Sequence, residues 1–211
     1  MDRLSLFLYN THVCRCTTIS SSGKAVQRLT VNWSIMLRKI GKHRLLYSYV
    51  MAILVIVFAH NPVFLPGLLF VAAGIAVRFW AAGTIAKNNV LTKSGPYSFM
   101  RNPLYFGSFL SALGTFVMIH NWWLMLAFLV GFAIFYGATI KSEEEYLSGR
   151  YGEEFQEFKK AVPVFFPRIT PAFTEIKSSY SWKRAFYNRE HHSLICTIVV
   201  VGLIFAVAYL R

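Results

Sequence analysis

The chain has 211 residues, 55% of them hydrophobic and 17% aromatic, with only 15% charged, a composition suited to a bilayer interior that excludes a disordered chain. Three scattered cysteines do not make a disulfide framework. The net charge of +13 comes without zinc-ligand spacing or an RNA-binding aromatic motif, so no nucleic-acid partner is expected and the charge reads as membrane topology.

From the N-terminus, Leu4 to Tyr9 form an apolar stretch too short for a signal-peptide core, and the segment is expected to stay on the mature chain. Residues 24–40 place Val26, Leu29, Trp33 and Ile40 on one helical face with basic residues elsewhere, which predicts an interfacial helix on an anionic leaflet. Cys14 and Cys16 read as reduced cytoplasmic thiols. Apolar runs then predict five spans, at about 44–59, 63–80, 104–119, 122–140 and 194–210, each near the minimum of roughly 17 residues for crossing. His60-Asn61-Pro62 and His120-Asn121 separate the first and second pairs, so both pairs read as tight hairpins.

Residues 1–44 carry eight Lys/Arg, residues 85–103 three and residues 141–192 nine, whereas the hairpin tips carry none. The positive-inside rule puts those three segments, the N-terminus and any active site among them on the cytoplasmic side. The expected fold class is all-α: a multi-pass integral membrane protein of about five transmembrane helices with a cytoplasmic C-terminal cap. Its parts would be a cytoplasmic segment 1–44, a membrane domain 45–192 that includes the cap, and an additional final helix 193–211.

Within the spans, Gly107, Ser111 and Gly114 share a face, and Ala127 with Gly131 and Ala133 with Gly137 repeat the small-xxx-small spacing, which predicts close helix approach. Arg78, near the cytoplasmic end of the second span, either snorkels to the interface or anchors an anionic group. No spacing of His, Cys, Asp and Glu reads as a metal site.

Two segments carry chemistry. Ser94-Gly95-Pro96 breaks any helix, and Pro103 suits the first turn of the third span, whose free N–H groups then lie beside the fixed cation Arg101. That pattern holds an anionic group. After the fourth span, Glu143-Glu144-Glu145 in a basic protein offers carboxylates to something cationic, or else balances neighbouring lysines on a solvated helix. One zwitterion would satisfy both segments.

The ordered set Gly95-Pro96-Tyr97, Arg101-Asn102-Pro103-Leu104-Tyr105-Phe106-Gly107, Glu143-Glu144, Leu147, Tyr151-Gly152 and Val162-Pro163 resembles the isoprenylcysteine carboxyl methyltransferase family, to which phospholipid N-methyltransferases are related. The resemblance covers about residues 63–167. It implies S-adenosylmethionine as cofactor, and the chain has no Gly-x-Gly of the dinucleotide-binding kind. Its cofactor-binding positions fall on Asn89, Val90, Leu91 and Thr92, on Tyr97, on Asn102, Pro103, Leu104 and Tyr105, and on Glu143. Glu143 suits an ammonium, and the two tyrosines suit adenine or a sulfonium. Arg101 and Glu144 are the expected catalytic, acceptor-side pair, with Glu144 as the base if the acceptor is an amine. Asn89 and Asn102 stand where the family typically has histidine, and Thr139 where the prenylcysteine enzymes resemble one another in an arginine that holds the substrate carboxylate. The implied acceptor is a lipid or lipid-anchored carboxylate or amine reached from the bilayer. The alternatives are an NADPH-dependent sterol-type reductase, which would want clustered cations, and a non-catalytic scaffold or transporter subunit that keeps the fold.

Overall fold

The computed structural model describes Met36 and residues 39–59, 64–85, 90–173 and 180–210. Most of the expected interfacial helix, together with Cys14, Cys16, the His60-Asn61-Pro62 tip and Asn89, lies outside the described residues. Contacts divide the chain into residues 1–36 and 37–211, and the elements below belong to the second unit.

Regular structure among the described residues is helical: α1 (Arg44–Val57), α2 (Phe64–Thr84), a 3₁₀ turn (Gly95–Ser98), α3 (Pro103–Ile119), α4 (Trp122–Ala161), α5 (Trp182–Tyr187) and α6 (Glu190–Leu210). Three of them, α2, α4 and α6, are long and apolar enough to cross a membrane. With 14 and 17 residues, α1 and α3 reach only about 21 and 25 Å at 1.5 Å per residue, short of the ~30 Å hydrocarbon core.

The α2–α3 pair packs on glycine. A Cβ at Gly67 would sit 2.6 Å from the Gly114 carbonyl, and one at Gly114 2.5 Å from the Gly67 carbonyl; Gly74 and Gly107 repeat the reciprocal contact at 2.5 and 2.7 Å. The expected small-residue face of α3 is therefore a backbone-to-backbone contact. On α4 the pattern holds in part. Gly131 receives the Tyr47 ring of α1, whereas Gly137 faces open space. The α3–α4 junction is as tight as predicted: His120 adopts the left-handed conformation (φ 51°), and the Asn121 side chain caps α4 by accepting from the Leu124 N–H at 3.1 Å.

The helix of the fourth span runs on past the expected span end near residue 140, because Lys141 to Tyr151 change polarity without supplying a proline; at Gly152 a non-helical backbone (φ 52°, ψ −123°) joins it to a second helical piece that ends at Ala161. The piece from Trp122 to Tyr151 reaches about 45 Å, more than the ~30 Å hydrocarbon core, and the distal part of α4 follows it beyond the kink. Its Phe155 and Phe158 are buried with Val162, Tyr97 and Ala81, and Leu91, Ala172 and Phe173 pack at the edges. Residues 162–173 run along the 3₁₀ turn as a strap: Arg101 N–H donates to Pro163 O (2.9 Å), Arg168 N–H to Phe99 O (3.0 Å) and Ala172 N–H to Ser98 O (2.9 Å).

The C-terminal end of α2 is capped by a distant segment. The carbonyls of Ala82, Gly83 and Thr84 accept from the Asn188 side chain (2.8 Å), the Ser181 N–H (3.0 Å) and Arg184 (3.0 Å), which satisfies groups that a helix end leaves open. The chain then turns through Arg189 (φ 60°) into α6.

Candidate active site

The two segments picked out by sequence meet where the membrane helices join the strap and the distal part of α4. Tyr105, in the first turn of α3, donates its hydroxyl hydrogen to Glu143 Oε1 at 2.6 Å and accepts from Arg44 Nη1 at 2.9 Å. The Arg44 guanidinium also lies 5.8 Å from the Tyr105 ring centre. Tyr136 packs edge-on against Tyr105 (5.7 Å) and shares a hydrogen bond with Ser48 at 3.0 Å. An ordered chain thus runs from α1 through α3 to the first glutamate of α4.

Glu144, the next residue, faces Arg101. Its Oε1 is 3.2 Å from Arg101 Nη2 and its Oε2 3.7 Å from Lys159 Nζ. Arg101 also donates from Nη1 to the Lys159 carbonyl at 3.3 Å. Burial works against the charge on Arg101, and Glu144 beside it works for it. The anion-holding and cation-holding segments expected from sequence therefore come together and close on each other. Glu145 is exposed.

Tyr97 sits in the 3₁₀ turn, 7% exposed, and its hydroxyl has no hydrogen-bond partner within the protein. Burial pushes its phenol well above the ordinary range, and the carboxylates of Glu143 and Glu190 add to the effect. Gly95 makes the turn through a left-handed φ of 56°. Asn102 occupies the N-cap position of α3 but makes no cap there; its amide donates to Val164 O at 2.9 Å and so ties α3 to the strap. Pro103 is buried at the first helical position, and Leu104 is half-buried with its carbonyl facing Arg78. Leu91 packs into the Phe155–Phe158 cluster, Thr92 is half-buried and Val90 is exposed.

Thr139 is buried, and its hydroxyl donates to Phe135 O at 2.8 Å. A Cβ at Gly41 would lie 2.9 Å from its Oγ1, so the position holds a small side chain. Arg78 neither snorkels nor stands free: its Nε and Nη2 contact Glu190 Oε2 at 3.0 and 2.8 Å, and its Nη1 reaches Leu104 O (3.2 Å) and the Ser108 hydroxyl. Sequence reasoning missed Arg44, Tyr136 and Glu190. Of these, Glu190 left a signal, as a lone acid at the start of an apolar run in a chain that also buries a lone arginine in another span. Among the described residues no three His, Cys, Asp or Glu side chains converge as a metal site.

Long apolar helices, glycine-mediated packing and a polar site at one end of the bundle define a polytopic helical membrane protein. Residues 47–154, just over half of the chain, match the phospholipid methyltransferase family, and the chain belongs to that family. It is 34% identical over 143 residues to the cobalt-zinc-cadmium resistance protein CzcN of Cupriavidus metallidurans, covering 63% of this chain and 65% of that one. To the nickel-cobalt-cadmium resistance protein NccN of Alcaligenes xylosoxydans it is 35% identical over 106 residues, 49% of each chain. To the protein-S-isoprenylcysteine O-methyltransferase of Schizosaccharomyces pombe it is 32% identical over 99 residues, 47% of this chain and 42% of that one. The chain thus spans between about two fifths and two thirds of the length of these relatives. No solved structure matches it at a significant level.

Proposed function

We propose that the protein is an integral membrane methyltransferase that uses S-adenosylmethionine and acts on a lipidic or lipid-anchored acceptor. The observation that carries the reading is the convergence of Tyr97, Tyr105 and Glu143 inside the family-matched stretch, beside polar atoms that the protein itself leaves unsatisfied. The family match also favours methyl transfer over the reductase and scaffold alternatives. In this reading α1 and α3 cross with α2, α4 and α6 to make five spans, shortened where polar residues take over. Residues 1–44, the strap and the distal part of α4 face the cytoplasm, residues 45–192 form the catalytic domain and residues 193–211 complete the last span.

The residues present fit the donor. The Tyr97 hydroxyl and Arg101 Nε are buried without a partner, at a cost of about 1–3 kcal/mol each that a polar ligand offsets. Glu143 would hold the donor's ammonium, and Tyr97 and Tyr105 its adenine or sulfonium. Asn102, Pro103 and Leu104, at the start of α3, would face its carboxylate or ribose, with Asn89, Val90, Leu91 and Thr92 on the loop side. Bound there, the donor supplies an electrophilic methyl group on sulfur.

The chain's own contribution is alignment and exclusion of water. The buried Phe155 and Phe158 close the water side. Arg101 and Glu144 work on the acceptor side, and the Glu144 carboxylate takes the proton that an O–H or N–H acceptor must lose. A carboxylate acceptor needs no such base.

Titration calorimetry on the detergent-solubilised full chain tests the reading: donor binding is expected in the parent and lost in Glu143→Ala. A parent protein that binds no donor refutes it. Incubation with labelled donor and a crude lipid extract then shows which class of molecule takes up the methyl group.

A further inference from the structure

A half-open cavity of about 210 Å³ lies between α1, α2, α3, α4 and α6. It is smaller than the roughly 300–1,000 Å³ of a site that encloses a whole small molecule, so it takes one end of an amphiphile. Its wall is mostly apolar, with Met51, Val55, Phe116, Phe128 and Phe132 in it, and the hydroxyls of Ser48, Ser108, Thr115, Tyr136 and Ser193 interrupt that surface. Tyr136 also lines it and packs against Tyr105, so the cavity adjoins the Tyr105–Glu143 pair from within the bundle.

The charge balance narrows the occupant. Among the described residues, Arg78 is the only charged side chain lining the cavity, and its guanidinium is matched by Glu190, which is 5% exposed. An anionic head would have to displace that carboxylate and leave it buried without a counterion, and a cationic head would find no carboxylate to spare. The hydroxyls are set for neutral hydrogen bonding. Thr115 and Thr197 donate to carbonyls of their own helices at 2.7 and 2.9 Å, which leaves their oxygen lone pairs to accept, whereas the Ser108 oxygen already accepts from Arg78. Ser111, 8% exposed, has a hydroxyl packed against Gly74 of α2 that finds no hydrogen-bond partner among the described residues.

We propose that this cavity binds the uncharged, hydroxyl-bearing end of an amphiphile, and that α6 is its discriminating wall. That helix lies beyond the family-matched residues 47–154 and presents Ser193, Cys196 and Thr197 to the cavity at helical spacing. The Arg78–Glu190 pair is the positioning element, because it fastens the start of α6 and cancels the one charge that would select an ion. Naming the occupant as the methyl acceptor rests on the methyltransferase reading; its binding does not.

The test is photolabelling of the full chain in nanodiscs with probes that share one tail and carry a diazirine beside an alcohol, a sulfonate or a trimethylammonium head. The alcohol probe is expected to label peptides containing residues 108–115 and 193–197 about tenfold more than either charged probe. Ala112→Leu, which adds bulk to the cavity wall away from the Gly74 contact, removes most of that labelling while donor binding by calorimetry persists. Glu190→Gln leaves Arg78 without its carboxylate and shifts the preference to the sulfonate by about tenfold, a reversal that loss of packing alone would not produce. Equal labelling by the three heads, or labelling indifferent to Ala112→Leu, overturns the proposal. The labelling needs no methyl donor, so a protein that takes the alcohol but binds no donor would sink the methyltransferase reading and leave this one standing.

Discussion

Adding one methyl group at Gly74 probes the backbone contact between α2 and α3. A Cβ there would fall 2.3 Å from Ser111 Oγ, 2.5 Å from the Gly107 carbonyl and 2.6 Å from the Ser111 nitrogen. The first neighbour can rotate, but the other two are backbone, so α2 and α3 must part. Overpacking of this kind costs about 1–3 kcal/mol, and the helix preference of alanine returns up to about 1 kcal/mol. The expected net loss is about 1–2 kcal/mol, or roughly 2–8 °C in thermal midpoint for a chain of this size. Gly137→Ala is the control, since its Cβ would meet nothing within 4 Å and the change is expected to be neutral or stabilising by up to about 1 kcal/mol. Removing the movable neighbour as well, in Gly74→Ala/Ser111→Gly, should recover less than half of the loss. Thermal unfolding in detergent, followed by circular dichroism, reads all three variants. A Gly74→Ala midpoint no lower than that of Gly137→Ala would refute the backbone-contact argument.

The buried ion pair predicts non-additivity: Glu190→Ala, which strands Arg78, should cost about 3–5 kcal/mol, while the double change with Arg78→Leu should cost less than that single one in the same unfolding assay. The two neighbouring glutamates should separate kinetically, with Glu143→Gln abolishing donor binding in calorimetry and Glu144→Gln lowering turnover while donor affinity stays within about threefold. Tyr97 supplies a pH signature. Because its folded phenol is raised above the ordinary value of 10.0, its contribution is whole below pH 10 and is lost as the unfolded chain ionises above it, by about 1.4 kcal/mol for each further pH unit until the folded phenol titrates. Tyr97→Phe should therefore lose less stability than the parent between pH 9 and pH 11, and parallel curves for the two proteins would refute the assignment.

The sequence carried most of the helices because apolar runs are read without knowing neighbours, and it carried the Gly107-Ser111-Gly114 face because small residues at that spacing have one main use in a membrane. The end of the fourth span near residue 140 marks where polarity changes and not where the helix stops; the helix runs on to the non-helical Gly152, and no proline intervenes before Pro163. The order of motifs brought the Arg101 and Glu144 segments into one site, but not their direct ion pair, and not the chain from Arg44 through Tyr105 to Glu143, which joins residues 61 and 38 positions apart. Glu190 is the instructive omission. An acid and a base buried in separate apolar segments, 112 residues apart, have little reason to be tolerated except through each other.

Tyr136, beside the half-open cavity, and Glu143, beside the proposed donor pocket, stand seven residues apart on a single unbroken stretch of α4. Seven residues are two turns and about 10.5 Å of rise, which keeps both side chains on one flank of the rod. The alignment of the two compartments is thus held by a count rather than by a contact. One residue inserted between positions 137 and 142 would swing the glutamates about 100° around the axis and leave each compartment whole but facing the wrong way.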